Sequence, residues 1–457
     1  MGHRTGACQP SSTSELNQAR ISGQLYRHGT LSRASIAKAL GLTAAAISKL
    51  VGRMIEAGIV EETGDLPGAL HRRSIGLRLR TDAYKVIGVK FARSQVLWGV
   101  FDLAGDPLKQ GELPRVSEGN IPGTVRAVTS LVDTELASDP AIVAVAMAVP
   151  GPYLRDEGRI ALVTSMQGWR GVNFIDEFSR AFPVPTFIEQ DARAGALAQS
   201  LFAPTETDGG SPTNLAYYLV GEGVGLGVID GGRLINGERG GATELGHVSI
   251  DAAGRRCECG NRGCLERYCS AVAIHKAMEE PPYRGHFPEA AGLSHAQACR
   301  FLFLQASRGD GTARELVERI ASYVGYGCVS VVNAFNPSRI VIGDIVAAAG
   351  RPLLDTVQRI VAERALPELR EGTHIELSRL PADATLLGAA AVAVDRFLHS
   401  PTFFAELKRR RQGEGMGPEP GTHAGHNHHD HRPGSDASHE QPAPPSMRLH
   451  PYRQDRQ

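Results

Sequence analysis

The 457-residue chain lacks the features that would assign it to a simple class. No apolar run approaches the length of a membrane-spanning helix, and the first residues, MGHRTGACQPSSTSE, contain no apolar signal-peptide core. The formal net charge is +0, from 49 Lys or Arg and 49 Asp or Glu, so the whole chain has no electrostatic preference for a charged partner. These absences predict a cytoplasmic protein that makes no membrane contact.

The composition that is present is typical of a globular protein. Hydrophobic residues make up 42% and charged residues 21%, and the length allows two or three domains. The charge is unevenly distributed, because residues 15–80 hold ten Lys or Arg against five Asp or Glu, a net charge of +5. A basic N-terminal segment on an acidic body suggests contact with a polyanion.

Periodicity divides the chain into five segments. Apolar strand-like runs alternate with helical patterns in two blocks, which predicts two α/β lobes with a cleft between them. The predicted segments are a disordered leader (1–14), a helical basic unit (15–80), an N-terminal lobe (84–200), a C-terminal lobe (201–398) and a disordered tail (399–457).

The tail lacks apolar periodicity and is rich in Pro, Gly and His, which predicts disorder. Five of its histidines could bind metal ions, although incidental affinity of a flexible tail is the simpler interpretation. These histidines are His423, His426, His428, His429 and His431.

The stretch LSRASIAKALGLTAAAISKLVGRMIEAGIVEE has the spacing of a helix-turn-helix. Ser32 is an N-cap for a helix that ends near Leu40, Gly41 makes the turn, and Thr43 caps a second helix that runs to about Ala57. The following IVEETGDLPGALHRRSIGLRLR predicts two strands around a loop, which would form a wing. Apolar residues expected on the inner faces are Ile36, Ala37, Leu40, Leu42, Ile47, Leu50, Val51, Met54 and Ile55.

The start of the second helix leaves small or polar side chains outside, which suits entry into a DNA major groove. Arginines of the wing could reach phosphates or a minor groove. A small protein-interaction domain is the alternative, but the basic charge and the wing favour DNA binding. The predicted DNA-contacting residues are Thr43, Ala44, Ala45, Ser48, Lys49, Arg53, Arg72 and Arg73.

Four of the seven cysteines lie in CECGNRGCLERYC, from Cys257 to Cys269. Clustered thiols in a reducing compartment more often bind metal than form bridges, and C-x-C cysteines bridge only with strain. Cys257, Cys259 and Cys264 offer three thiolates, and a closed tetrahedral zinc site needs a fourth ligand. Cys269 competes for that position, but it lies in the helix-like LERYCSAVAIHKAM and is expected to be a half-buried helix residue.

The stretch LVGEGVGLGVIDGGRLINGERGGATELGHVSID, followed by CECGNRGCLERYCS, resembles the ROK family of repressors, open reading frames and sugar kinases. The family's glycine-rich strand-turn, E-x-G-H and C-x-C-G-x-x-G-C-x-E occur here in order, and the resemblance covers roughly residues 84–398. With a winged helix in front, the chain is similar to the repressor branch that regulates xylose and N-acetylglucosamine utilisation. This resemblance implies an α/β, two-lobed actin-like/sugar-kinase (ribonuclease H-like) fold with an N-terminal winged helix-turn-helix domain.

The resemblance implies His247 of ELGH as the fourth ligand of a structural Zn²⁺ with Cys257, Cys259 and Cys264. It also implies a sugar site built largely from carboxylates, which accept paired hydrogen bonds from vicinal hydroxyls. For Asp191, capping of the following helix is an alternative role that can hold at the same time. In VTSMQGW, Ser165 aligns with a family Asn. The implied sugar ligands are Asp191, Glu244, His247, Glu266 and Ser165.

Kinase activity in the family requires a general base, which would be Asp191, and a phosphate cradle with the motif D-x-G-G-T. This chain has Lys90 in place of the Asp and Ala92-Arg93-Ser94 in place of Gly-Gly-Thr, and Asp344 stands where a further Gly is common. The run GEGVGLG persists, but glycines also serve strand packing, and Lys90 and Arg93 could bind anions directly. We predict that the chain has no kinase activity.

The main hypothesis is a sugar-responsive transcription factor, a repressor, although the same logic allows activation. A homodimer or homotetramer would read a palindromic operator, and a sugar or sugar phosphate in the cleft would shift DNA binding through its differential affinity for two states. The alternatives are an ATP-dependent kinase of a hexose or amino sugar with a regulatory DNA-binding domain, and a regulator whose cleft recognises a transport-system component.

Overall fold

The computed structural model describes residues 12–65, 74–92, 95–161, 167–204, 213–380 and 384–413, all within one unit of the fold. The predictions for Arg72, Arg73, Ser165 and the five tail histidines lie outside these residues. No single helix among the described residues is long and apolar enough to cross a membrane. The bent pair Arg33–Leu40 and Ala44–Glu56, which meet at 116°, passes that test only when both helices are counted together.

The N-terminal region combines three helices with a small antiparallel sheet. Its elements are α1 Thr13–His28, β1 Leu31–Ser32, α2 Arg33–Leu40, α3 Ala44–Glu56, β2 Val60–Asp65 and β3 Ile75–Leu79. The Ser32 hydroxyl accepts from the amide of Ser35 at 3.0 Å, and Thr43 accepts from the amide of Ala46 at 3.2 Å, so both predicted N-caps are confirmed. Gly41 ends α2 at φ +66°, a left-handed backbone that favours glycine.

The inner faces of α2 and α3 carry the predicted apolar residues. Those that are buried are Ile36, Ile47, Leu50, Val51 and Met54. The other four pack against the same cluster while remaining partly exposed. The helix-turn-helix prediction is therefore confirmed in both its caps and its core.

The first lobe is built on a mixed five-stranded sheet. Its elements are β4 Lys85–Phe91, β5 Val96–Asp102, β6 Pro107–Glu112, α4 Ile121–Ser138, β7 Ile142–Val149, β8 Tyr153–Leu154, β9 Arg159–Ile160, α5 Phe174–Phe178, β10 Thr186–Gln190 and α6 Asp191–Phe202. The strand order is β10-β7-β4-β5-β6, with β4, β5 and β6 antiparallel and β7 and β10 parallel to β4. Every residue of β7 is buried, as expected for a central strand covered on both faces.

The second lobe repeats this topology. Its elements are β11 Leu215–Val220, β12 Val224–Asp230, β13 Arg233–Leu234, α7 Glu266–Cys269, α8 Ala271–Glu279, α9 His295–Ser307, α10 Gly311–Phe335, β14 Arg339–Gly343, α11 Arg351–Arg364, α12 Pro367–Arg370 and β15 His374–Leu377. The order β13-β12-β11-β14-β15 again joins an antiparallel meander to two parallel strands. This duplication confirms the predicted two-lobed α/β fold.

Helix α13, Ala384–His399, follows the second sheet in sequence but packs on the first lobe, against α6, β4 and β7. The helices α13 and α6 approach closely, because a Cβ on Gly388 would lie 2.7 Å from the backbone carbonyl carbon of Ala194. Since α6 begins at Asp191, α13 lies directly behind the element that carries this carboxylate.

Helix α14, Pro401–Arg411, occupies part of the segment predicted as disordered from residue 399, so that boundary was wrong. The Arg411 guanidinium donates to the carbonyl oxygens of Leu136 and Ile142, and Lys408 donates to the carbonyl of Ala83 at 2.5 Å. These long-range contacts stabilise a basic helix whose sequence shows little amphipathic pattern.

One hydrophobic cluster extends from α1 through the first lobe into α13 and α14. Ile21 and Leu25 of α1 are buried in it, and the ring of Phe397 lies 4.8 Å from Tyr84 and 5.6 Å from Phe404. The N-terminal region is therefore packed onto the first lobe.

Candidate functional site

Three cysteines and a histidine converge in the second lobe. The donor atoms of His247, Cys257, Cys259 and Cys264 all lie within 4.8 Å of one another. Cys259 Sγ lies 3.6 Å from Cys264 Sγ, and Cys257 Sγ lies 3.7 Å from His247 Nδ1. Ligands about 2.0–2.3 Å from a tetrahedral zinc ion are separated by roughly 3.5–3.8 Å, so the donor set fits Zn²⁺.

The local backbone explains this convergence. The amide of Cys257 donates to Asn261 O at 2.9 Å and closes a tight turn, and Ile250 N donates to Gly263 O at 2.9 Å. At Gly263, with φ +70°, a Cβ would overlap the carbonyl oxygen of Asp251. The chain can therefore return Cys264 to the other donors only with glycine at position 263.

Cys269 does not join the metal group. It lies in α7, fully buried, with Sγ 3.5 Å from Leu265 O, and burial raises the pKa of its thiol to about 12. The expectation that Cys269 belongs to a helix is confirmed, but the residue is fully rather than half buried.

Asp191 is the first residue of α6, immediately after β10. Its Oδ1 accepts from the amide of Ala192 at 2.7 Å, whereas the capping hydrogen bond is donated by the amide of Arg193 to Gln190 Oε1 at 2.9 Å. The N-cap role proposed as an alternative for Asp191 thus belongs to its neighbour.

The Asp191 carboxyl lies in an electrostatically mixed environment. Its pKa is raised to about 6, mainly by burial; the Ala192 amide and Lys90 lower the pKa, and the Asp344 carboxylate raises it. Burial from solvent is thus the main reason that the proton is held more tightly on Asp191 than on a free aspartate.

Glu244 belongs to the second lobe and its carboxylate lies next to the first. Its Oε1 would lie 3.2 Å from a Cβ on Gly151, which follows β7. Burial raises the pKa of Glu244 to about 8, and the Asp191 carboxylate adds to this effect. Among the described residues Glu244 Oε1 has no hydrogen-bond partner, and a buried oxygen of this kind suits a ligand hydroxyl.

Glu266 is the third carboxylate of a group that also contains Asp191 and Glu244. It is 8% exposed, and its Oε2 accepts from the amide of Val224 at 3.1 Å, which ties α7 to the start of β12. The negative charge of Glu266 also contributes to the raised pKa of Glu244. His247 directs Nδ1 toward Cys257, which leaves Nε2 for another partner.

A buried ion network behind Asp191 was missed by the sequence reasoning. Arg193 is fully buried and donates from Nε to Glu189 Oε1 at 2.7 Å, while Arg155 donates to Glu189 Oε2 at 2.5 Å and to Asn236 Oδ1 at 2.9 Å. Arg155 lies between β8 and β9 of the first lobe, whereas Asn236 belongs to the second. The network therefore links the lobes at the cleft.

Two charged residues among the described part of the chain, Lys90 and Asp344, belong to the region expected to form the phosphate cradle. Lys90 lies at the end of β4, paired in register with Ala148 of β7. Asp344 has φ +68°, unusual for a residue with a Cβ, and its Oδ2 occupies the space that a Cβ on Gly221 would fill. Arg93 and Ser94 lie outside the described residues.

The predicted DNA-contacting residues of the helix-turn-helix form one exposed surface. Thr43 lies at its edge as the N-cap of α3, and each of the described members has an exposed side chain. These members, called here the recognition surface, are Thr43, Ala44, Ala45, Ser48, Lys49 and Arg53.

A model of the ROK family matches residues 86–396. The chain belongs to the ROK family. A model of the MarR family matches residues 15–68, the segment that holds α1, α2 and α3.

Within the ROK family, two named regulators resemble this chain over most of its length. The xylose repressor of Bacillus spizizenii is 26% identical over 391 residues, which cover 84% of this chain and 96% of the repressor. The DNA-binding transcriptional dual regulator NagC of Escherichia coli K12 is 27% identical over 371 residues, 80% of this chain and 89% of NagC.

Solved structures share the fold. A ROK family transcriptional regulator described as a homologue of the E. coli MLC protein matches with a TM-score of 0.70 and 24% identity, over 88% of this chain and 99% of that one. ROK hexokinase and glucokinase structures match over 67% of this chain. The match to the regulator extends over more of the chain than the matches to the kinases.

Proposed function

We propose that this ROK protein is a sugar-responsive DNA-binding transcriptional regulator, a repressor of carbohydrate-utilisation genes. The observation that carries the proposal is the combination, in one packed unit, of an exposed recognition surface with a cleft lined by Asp191, Glu244 and Glu266. Relatives that match over most of the chain are named as a xylose repressor and as NagC.

The effector is a sugar or sugar phosphate held by hydroxyl contacts. Asp191 and Glu244 offer carboxyl oxygens to adjacent hydroxyls, and Glu244 Oε1 has no partner among the described residues. His247 and Glu266 frame the same space. Ser165, outside the described residues, completes the proposed set.

The zinc ion has a structural role. His247, Cys257, Cys259 and Cys264 would hold it with no open coordination position, so it supplies rigidity rather than Lewis-acid chemistry. His247 and Cys264 are close in sequence to Glu244 and Glu266, and the ion would fix where these two carboxylates lie.

The site is not suited to phosphoryl transfer. The Asp344 carboxylate fills space beside Gly221 in the glycine-rich turn, where it would repel the phosphates of a nucleotide. Lys90 replaces the first acidic residue of the cradle. Asp191 would then act as a sugar ligand, not as a general base.

Three packed helices connect the proposed sugar site with the DNA-binding region. Asp191 begins α6, α6 packs on α13, and α13 packs on α1 of the N-terminal region. A sugar that binds the closed lobes more tightly would shift α13 and α1 together. In a homodimer or homotetramer this shift changes how two recognition surfaces meet the two halves of an operator.

Genomic fragments captured by the purified protein would supply an operator for a gel-shift titration against a panel of hexoses, pentoses, amino sugars and their phosphates. We expect one chemical class to change the DNA affinity at least tenfold in the wild type and not in Asp191→Asn.

A coupled ADP assay on the same panel tests the alternative, kinase activity. Robust turnover that is lost in Asp191→Asn would replace the regulator proposal with a kinase.

A further inference from the structure

A basic cavity lies beside the cysteine loop, with a volume of about 380 Å³. Two of its lining residues, Val272 and Ala273, are apolar and belong to α8. Its charged lining consists of four cations and one carboxylate: Arg255, Arg256, Arg267, Lys276 and Glu280. None of these residues belongs to the proposed sugar, zinc or DNA sites.

The positive charge of the basic cavity is poorly neutralised by its own lining. Glu280 lies 3.6 Å from both Arg255 Nη2 and Lys276 Nζ, longer than the roughly 2.7–2.9 Å of a charge-assisted hydrogen bond. Arg267 Nε is buried and has no hydrogen-bond partner among the described residues. An anion in the cavity would offset the repulsion between the cations.

One of the four cations is already held in place. Arg255 donates from Nη1 to Arg267 O at 3.0 Å, and its guanidinium lies over the ring of Tyr268, with the central carbon 5.2 Å from the ring centroid. A side chain fixed in this way loses little conformational entropy when it binds a ligand. Planar guanidinium groups match the paired oxygens of a phosphate better than an ammonium does.

We propose that the basic cavity binds the phosphate group of a small phosphorylated metabolite. Its volume is within the range of about 300–1,000 Å³ found for small-molecule sites, and Val272 and Ala273 offer apolar contact to the carbon part of the ligand. Arg256 precedes Cys257 and Arg267 follows Glu266. A bound phosphate would therefore brace both the loop of metal donors and the start of α7, where Glu266 lies, without occupying the cleft.

Isothermal titration of the zinc-loaded full chain at low salt tests this proposal. The background is Asp191→Asn, which weakens binding in the cleft. The probes are inorganic phosphate, glycerol 3-phosphate and glucose 6-phosphate, with glucose as the uncharged comparison. We expect the two phosphate esters to bind once per chain, more tightly than inorganic phosphate, and glucose to give no comparable heat.

Three variants assign the binding to the basic cavity. Arg256→Gln combined with Lys276→Gln should weaken ester binding at least tenfold, and Arg300→Gln, an exposed arginine on α9, should leave it unchanged. Glu280→Gln removes the one carboxylate of the lining and should tighten binding several-fold. This gain does not depend on the double variant remaining folded, which circular dichroism and zinc content would check.

Two results overturn the proposal. One is equal weak heats from every anion, unaffected by any of the variants, which would mean only general attraction to a charged surface. The other is binding of a short DNA duplex that the double variant abolishes, with none of the small probes bound, which would assign the cavity to nucleic acid. Neither result bears on the sugar proposal, because the cavity variants lie outside the cleft and binding in the cleft is weakened in this background.

Discussion

Glu244 makes stability depend on pH in a direction that can be worked out. Burial raises its pKa from 4.5 to about 8. Between these values the unfolded chain releases the proton while the folded chain keeps it, so the free energy of unfolding falls as pH rises and the loss is complete above about pH 8. Glutamine is neutral at every pH, so a Glu244→Gln variant does not lose stability in this way as pH rises.

We therefore expect Glu244→Gln to gain melting temperature relative to the wild type as pH rises from 6 to 9, in ligand-free, zinc-loaded protein. The gain should reach several degrees, since 1 kcal/mol shifts the melting temperature of a domain of 150–250 residues by roughly 2–4 °C. Calorimetry at several pH values measures it, with the exposed Glu318→Gln as control. A difference that stays constant with pH would contradict the proposed environment of Glu244.

The cysteines give a matched pair of variants for the metal. Cys264→Ser removes a donor of the four-residue group, whereas Cys269→Ala changes a buried cysteine outside it. We expect about one zinc ion per chain in the wild type and in Cys269→Ala, and a large loss in Cys264→Ser, by elemental mass spectrometry. A chelator should lower the melting temperature of the wild type and of Cys269→Ala, but not that of Cys264→Ser. Equal zinc in all three proteins would show that the metal lies elsewhere.

Short motifs predicted these donors because the turn that brings them together is local. Cys257, Cys259 and Cys264 lie within eight residues, and glycines allow the chain to fold back between them. The pairing of Arg155 with Glu189 spans 34 residues and depends on how the segment between β8 and β9 packs against β10 within the first lobe, so no sequence spacing indicated it. The cap at Gln190 was missed for another reason, since glutamine is not among the preferred N-cap residues.

Helix α3 should carry most of the DNA affinity of the N-terminal region. Lys49 and Arg53 are exposed on its recognition surface. The slope of log affinity against log salt concentration changes by about 0.9 for each phosphate contact, so removing two contacts should make it shallower by about 2. We expect Lys49→Ala with Arg53→Ala to weaken operator binding about tenfold or more. Fluorescence anisotropy across a salt series measures both effects.

Arg308→Ala, an exposed arginine of the second lobe, is the control for this pair and should retain the wild-type slope. Sugar binding should be unchanged in both proteins, because α3 does not line the cleft. If the Lys49/Arg53 variant keeps the wild-type DNA affinity, the recognition surface on α3 does not contact DNA.

Elements with local signals were predicted well. Ser32, Gly41 and Thr43 mark the ends of α2 and α3 by capping and turn chemistry that needs no distant partner. Helix α14 had no such signal, because its stability comes from contacts of Lys408 and Arg411 with carbonyl groups more than 200 residues earlier. The sequence likewise did not predict that α13 packs on the first lobe, because this packing also depends on residues far away in the chain.

The packing of α1 on the body connects the proposed DNA-binding region directly with the lobe that carries Asp191. Two polar contacts fasten it in addition to the apolar cluster. Tyr26 OH donates to Leu103 O at 2.9 Å, and Thr402 Oγ1 of α14 donates to Gln18 Oε1 of α1 at 3.1 Å. Removing these contacts should loosen α1 without touching either ligand-binding surface.

We expect Tyr26→Phe with Thr402→Val to keep the sugar affinity and most of the DNA affinity while reducing the effect of sugar on DNA binding. Each lost hydrogen bond costs about 1 kcal/mol, and coupling between sites typically amounts to about 1–3 kcal/mol, so the loss of both can remove much of the response. Operator titrations with and without saturating sugar measure the ratio of the two affinities. Tyr323→Phe in α10 is the control and should keep the wild-type ratio. If the double variant also keeps that ratio, the signal does not pass through α1, and a change in subunit arrangement would have to carry it.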